Sequence, residues 1–135
     1  MNGARTHILL VEDNPGDARI LRELLAEGNA ERFTLTHVDR LDTGIRCLDQ
    51  SAIHIILLDL SLPDSQGAET LARMHAAAKG IPIVLMTGLD LSPEETAECE
   101  RVGVPLLRKP FLGDEAVNLI RSSLAHAPIA KGAGR

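Results

Sequence analysis

Ile53 to Gly67 reads IHIILLDLSLPDSQG, and the way this stretch ends decides the fold. Its first half, IHIILL, is a continuous apolar run with no polar alternation. Such a run suits a strand covered on both faces, as in a parallel sheet. It then closes on Asp59, a Leu-Pro-Asp turn and Gly67. A strand that finishes on a carboxylate means little alone. Its meaning depends on what ends the other strands.

Working outward, HILLV (7–11) is a short apolar run stopped by Glu12-Asp13, and IPIVLM (81–86) is stopped by Thr87-Gly88. VPLLR (104–108) is stopped by Lys109-Pro110, and FTLTHV (33–38) alternates, as a strand near a sheet edge does. Helical patterns separate these runs. Asn14 suits a cap, Pro15 the first helical position and Asp17 the positively polarised first turn. Ala18, Leu21 and Leu25 then share a face that Ile20 and Leu24 widen, and Gly28 suits the stop. Leu41, Ile45 and Leu48 mark a second helix, Gly67 to Ala78 a third, and Asp114 to Ala127 a fifth with Val117, Ile120 and Leu124 inward. Before the fourth, Ser92, Pro93 and Glu95 have the spacing of a capping box. Strict βα alternation with doubly covered strands predicts an α/β fold, a doubly wound five-stranded parallel sheet in the order 2-1-3-4-5. Residues 1–127 form one domain on this reading, and 128–135 a mobile tail.

Composition narrows the function. The chain has 135 residues, a net charge of −5, two Phe and neither Trp nor Tyr. A phosphate-backbone partner and a base-stacking platform are both disfavoured. No apolar run is long enough to span a bilayer. Cys47 and Cys99 lack metal or redox spacing, which fits reduced thiols in a cytoplasmic protein. His7, His37, His54, His75 and His126 also lack ligand spacing and read as structural or solvated.

In an open parallel sheet, ligands bind beyond the carboxyl ends of the strands. The expected order brings Glu12, Asp13, Asp59, Thr87 and Lys109 to that rim. Three carboxylates there repel, and a divalent cation relieves them. Mg²⁺, which uses one or two carboxylates plus waters and phosphate oxygens, suits the set. Three acids, one ammonium and one divalent ion balance to zero. Aspartate is a competent covalent phosphoryl acceptor, and Thr87 and Lys109 can donate to the new oxygens. Asp59 on a rigid strand is thus a candidate nucleophile.

VEDN (11–14), LLDLSLPDSQG (57–67), MTG (86–88) and LRKP (107–110) together resemble the response-regulator receiver domain of two-component signal transduction. The likeness runs from residue 6 to about 125, and its fold is the (βα)5 flavodoxin-like one. It implies Asp59 as phosphoacceptor, Thr87 as switch hydroxyl and Lys109 as the phosphoryl-binding cation. It implies Glu12, Asp13, Asp59 and the Ser61 backbone carbonyl as Mg²⁺ ligands, with a cis Lys109–Pro110 bond. The donor it implies is a histidine kinase or a histidine phosphotransfer protein. Output would pass through the face of the fourth helix, fifth strand and fifth helix to a protein target or a homodimer partner. Neither nucleic acid nor membrane is contacted directly. Such a protein is a phosphoprotein switch rather than an enzyme, with only self-catalysed phosphoryl acceptance and slow self-dephosphorylation. With no DNA-binding or catalytic segment after residue 127, the expectation is a stand-alone receiver.

Two departures stand out. Receivers usually carry Tyr or Phe three residues before the lysine, and here Leu106 stands there, so output is expected through backbone shifts. Glu12 replaces the commoner Asp. Ser61 and Leu89 border the path of an attacking water and are expected to tune phosphoryl lifetime. The alternative is a pseudo-receiver that docks a partner without phosphorylation. An electron carrier lacks its phosphate loop and flavin-stacking aromatics, and an aspartate-based phosphohydrolase lacks the second acid at Ser61.

Overall fold

The protein is described from a computed structural model, in which residues 6–27, 33–88, 90–111 and 114–125 are described. The chain runs β1 (Thr6–Val11), α1 (Pro15–Glu27), β2 (Phe33–Val38), α2 (Leu41–Gln50), β3 (Ile55–Asp59), β4 (Ser61–Leu62), β5 (Ser65–Gln66), α3 (Ala68–Ala78), β6 (Ile83–Thr87), α4 (Pro93–Val102), β7 (Leu106–Arg108) and α5 (Glu115–Ala125). β2, β1, β3, β6 and β7 form one sheet in that order, with every pairing parallel. Because β4 and β5 pair only with each other, antiparallel, this is the expected 2-1-3-4-5 order with a small hairpin inserted. Two residues per strand are too few to show a period, so the sequence marks this hairpin only as a turn.

The apolar runs work by alternation, although both of their faces are buried. Ile8, Leu10, Ile55, Leu57, Val84 and Met86 join a core with Ala18, Leu21 and Leu25 of α1 and Ala116, Val117 and Ile120 of α5. Leu9, Val11, Ile56, Leu58, Ile83 and Leu85 join a second core with Leu41 of α2 and Leu71, Met74 and Ala78 of α3. Every residue of β3 is buried, whereas β2 at the sheet edge holds no fully buried one. Each fully buried Leu or Ile contributes about 1.5–3 kcal/mol. Phe111 closes the first core beside Leu107 and α5.

Some expectations shift. The strands begin later than their apolar runs: Ile53 and His54, Ile81 and Pro82, and Val104 and Pro105 all precede their strands. Ile20 is 46 % exposed rather than part of the inner face of α1, while Leu24 is half-buried against the core. The last helix is described from Glu115 to Ala125, and Ala127, where its sequence pattern closes, lies outside the described residues. Gly28, Leu89, His126 and the proposed tail lie outside the described residues.

α2 is capped from a distance. Arg40 at its N-cap offers no side-chain bond. Instead, the Asp64 carboxylate accepts the amide N–H of Leu41 at 2.8 Å and of Asp42 at 3.0 Å. Burial pushes the Asp64 carboxyl up, but these two amides outweigh it and leave its pKa below the usual value. Asp64 therefore ties the turn after β3 to α2, beyond the local turn role its sequence context suggests. Asp64→Ala leaves both donors unpaired, and an expected loss of about 1–2 kcal/mol should appear in urea unfolding, with Asp64→Asn retaining part of it.

Candidate functional site

Side-chain phase brings the site together. Asp59 follows Ile55 and Leu57 on the face of β3 that looks toward α1 and α5. Beside it, β1 ends at Val11 and hands the chain to Glu12, which is 1 % exposed, and to Asp13, which is exposed. One carboxylate oxygen each from Glu12, Asp13 and Asp59 lie within 4.8 Å of one another. The Lys109 ammonium, entering from beyond β7, is 2.9 Å from Asp59 Oδ2 and 2.6 Å from Glu12 Oε1. The Lys109–Pro110 peptide bond is cis, and the Lys109 amide donates to the Thr87 carbonyl at 2.9 Å.

The smaller bonds fix each acid. Asp59 Oδ1 accepts the Ser61 amide at 2.8 Å, so the nucleophile candidate is held by its own following turn. Glu12 Oε2 accepts the Asn14 amide at 3.0 Å. Glu12 Oε1 meets Lys109 off the hydrogen-bond axis and is a buried oxygen with no hydrogen-bond partner among the described residues. His37 bonds through Nε2 to the Glu12 carbonyl at 2.7 Å, bracing the strand end from β2. His7 and His54 lie at the opposite end, where His54 Nδ1 accepts the His7 amide.

These contacts set the electrostatics. Burial pushes the Glu12 carboxyl from 4.5 up to about 7. The neighbouring Asp59 adds to that rise, while Lys109 and the Asn14 amide oppose it. Burial alone would pull the Lys109 ammonium down, but its pairing with Glu12, Asp59 and Asp17 outweighs that and raises its pKa. A crowded, largely buried carboxylate set with a single ammonium among it fits a hard divalent cation, which takes oxygen ligands and offsets the cost of burying the anions.

The cleft above the acids has a volume of about 460 Å³. Asp59, Ser61, Thr87 and Lys109 line it together with Asp17, Glu95 and Gly67. Thr87 is half-buried, and Ser61 is exposed at the rim. Glu12, Asp13, Asp59, Ser61, Thr87 and Lys109 thus come to one end of the sheet. Asp17 is the member that reasoning from sequence assigned elsewhere. It pairs with Lys109 at 2.9 Å, although its position in the first turn of α1 is already explained by the helix dipole.

Comparison with known proteins agrees with this geometry. The profile of the response regulator receiver domain matches residues 8–121. The chain belongs to that family. This receiver is 28 % identical over 121 residues to the C4-dicarboxylate transport transcriptional regulatory protein DctD of Pseudomonas aeruginosa, covering 90 % of this chain and 26 % of that protein. It is 30 % identical over 119 residues to the uncharacterized transcriptional regulatory protein YkoG of Bacillus subtilis, covering 87 % and 50 %. The receiver therefore spans only a quarter to a half of these curated relatives. Among solved structures, the signal receiver domain of an HD domain-containing protein from Pseudomonas fluorescens Pf-5 superposes with a TM-score of 0.80 at 24 % identity, over 93 % of this chain and 91 % of that one. The receiver domain of the sensor histidine kinase PA1611 from Pseudomonas aeruginosa, which has a magnesium ion coordinated in its active-site cleft, gives 0.75 at 25 % identity over 90 % and 99 %. Among the described residues, no helix is long and apolar enough to cross a membrane.

Proposed function

We propose that this receiver is a phosphoacceptor switch in which Asp59 takes a phosphoryl group from a phosphohistidine donor, a histidine kinase or a phosphotransfer protein in the cytoplasm. The observation that carries the reading is the convergence of Glu12, Asp13, Asp59 and Lys109 beneath a cleft that Thr87 also lines. Glu12, Asp13, Asp59 and the Ser61 backbone carbonyl would hold Mg²⁺, the ion that the kinase receiver carries in its active-site cleft. Once bound, the ion supplies positive charge between the acids and the phosphoryl oxygens.

The chain's own residues do the rest. The Ser61 amide fixes Asp59 Oδ1, so the carboxylate turns little as it meets phosphorus. An Asp59 oxygen forms the new O–P bond while the donor P–N bond breaks. The electron pair returns to the imidazole nitrogen, which takes a proton from water. Lys109 and the Thr87 hydroxyl donate to phosphoryl oxygens, and Thr87 carries the change into β6. Output then shifts the α4–β7–α5 face. Leu106 is half-buried and packs against the second core, as Cys99, Val102 and Val104 do, so this path runs through backbone and helix packing rather than a swinging ring. Such a face would meet a protein target or a second copy.

Incubation with Mg²⁺ and acetyl phosphate, followed by intact-mass and peptide measurements, tests the reading. One acid-stable, base-labile phosphoryl group on the peptide containing Asp59 is expected. Label on any other residue, or none, would overturn it. Partner capture by a chain that does not label would favour a pseudo-receiver instead, the reading to which Leu106 lends weight.

A further inference from the structure

Asp17 is placed in the site by the way α1 starts. Asn14 caps the helix, its side-chain oxygen accepting the Asp17 amide at 3.0 Å. An acid at this position often reaches back to the cap residue's own amide, as Glu95 does to Ser92 in α4. In α1 that amide is already taken, because the Asn14 N–H donates to Glu12 Oε2. The Asp17 carboxylate turns into the cleft instead and pairs with Lys109.

We propose that Asp17 is a positioning residue that restrains phosphoryl capture, holding the Lys109 ammonium toward α1 and offsetting part of its charge. This rests on the phosphoacceptor reading above. An ammonium has three donors, and three carboxylates crowd it here: Glu12 at 2.6 Å, and Asp17 and Asp59 at 2.9 Å. An arriving phosphoryl oxygen therefore meets a cation already surrounded. Asp59 gives up its place when it becomes the acyl phosphate, but Asp17 does not. It also adds a fourth negative charge, so the site with its divalent ion bound is one charge short of neutral. That charge repels an anionic donor at close range.

The test uses acetyl phosphate at saturating Mg²⁺, with the Asp59 oxygen forming the O–P bond as acetate leaves with its electron pair. Asp17→Asn keeps an oxygen able to accept from Lys109 and removes only the charge. It is expected to label about threefold to tenfold faster than wild type, as a partly screened unit charge allows. Asp17→Glu, which restores the charge, should return to within about twofold of wild type. A merely structural role predicts a lower melting temperature and slower labelling in both variants. Labelling of Asp17→Asn at or below the wild-type rate, with wild type itself active, would sink the inference alone. Failure of wild type to label removes the phosphoacceptor reading and the inference together.

Discussion

Asp59→Asn is expected to reduce labelling by acetyl phosphate to background while raising the stability of the metal-free protein. The two effects have one cause. The neutral amide is no nucleophile toward phosphorus, and Glu12 does not stand in for it, being buried with its oxygens turned to Asn14 and Lys109. The same amide keeps the shape of the site, since its oxygen can still accept the Ser61 N–H. What disappears is one of three carboxylates that share the Lys109 ammonium, with the Asp13 carboxylate close to two of them. Without a divalent ion, that excess of negative charge opposes folding, so removing one charge should stabilise by about 1 kcal/mol. Thermal melts in chelator should show the mutant above wild type at neutral pH. Added Mg²⁺ should raise the wild type and leave the mutant almost unmoved. A mutant that melts lower in chelator would mean that Asp59 serves mainly to pair with Lys109.

Much of this was legible in the sequence because the signals are local or strictly ordered. A run such as IILLD has one way to be buried on both faces, and its period of two sets which core each side chain joins. Alternation and crossover handedness narrow the strand order to a few, and the doubly wound order that matches five such units carries Glu12, Asp59, Thr87 and Lys109 to one rim. The Ser92–Glu95 capping box was readable for the same reason, since both partners lie within one turn. Asp64 and Asp17 were not. Each has a sufficient local explanation, a turn former in one case and a first-turn acid in the other, and each spends its carboxylate on a partner remote in sequence. Sequence spacing cannot reveal a contact that only the folded chain creates. Ile20 failed differently: helical period put it near the apolar stripe, but α1 meets the sheet through Ala18, Leu21 and Leu25, leaving it outside.

Glu12 should make the metal-free protein lose stability as pH rises from about 4.5 to about 7. The sign follows from proton binding. Burial, with Asp59 beside it, raises the folded-state pKa to about 7, against an ordinary value of 4.5. Across that window the folded protein keeps a proton that the unfolded chain has lost. Stability is therefore full below the window, falls through it, and is flat above. The slope approaches 1.4 kcal/mol per pH unit, giving a loss of about 3 kcal/mol in all. The other shifted groups do not overlap: Asp64, whose pKa lies below its ordinary 3.8, contributes stability that is lost only in more acid solution. Lys109, raised above 10.5, contributes stability that is lost only in strong alkali. Urea unfolding in chelator at a series of pH values should trace the decline, and Glu12→Gln should flatten it. A divalent cation requires the ionised carboxylate, so its binding must expel the Glu12 proton within the same window. Mg²⁺ affinity should rise with pH up to about 7, and calorimetry at pH 6 in two buffers of different ionisation heat should register up to about one proton released. A flat stability profile, or binding without proton release, would mean that Glu12 is ionised in the metal-free fold and that the buried carboxylate is compensated by Lys109 alone.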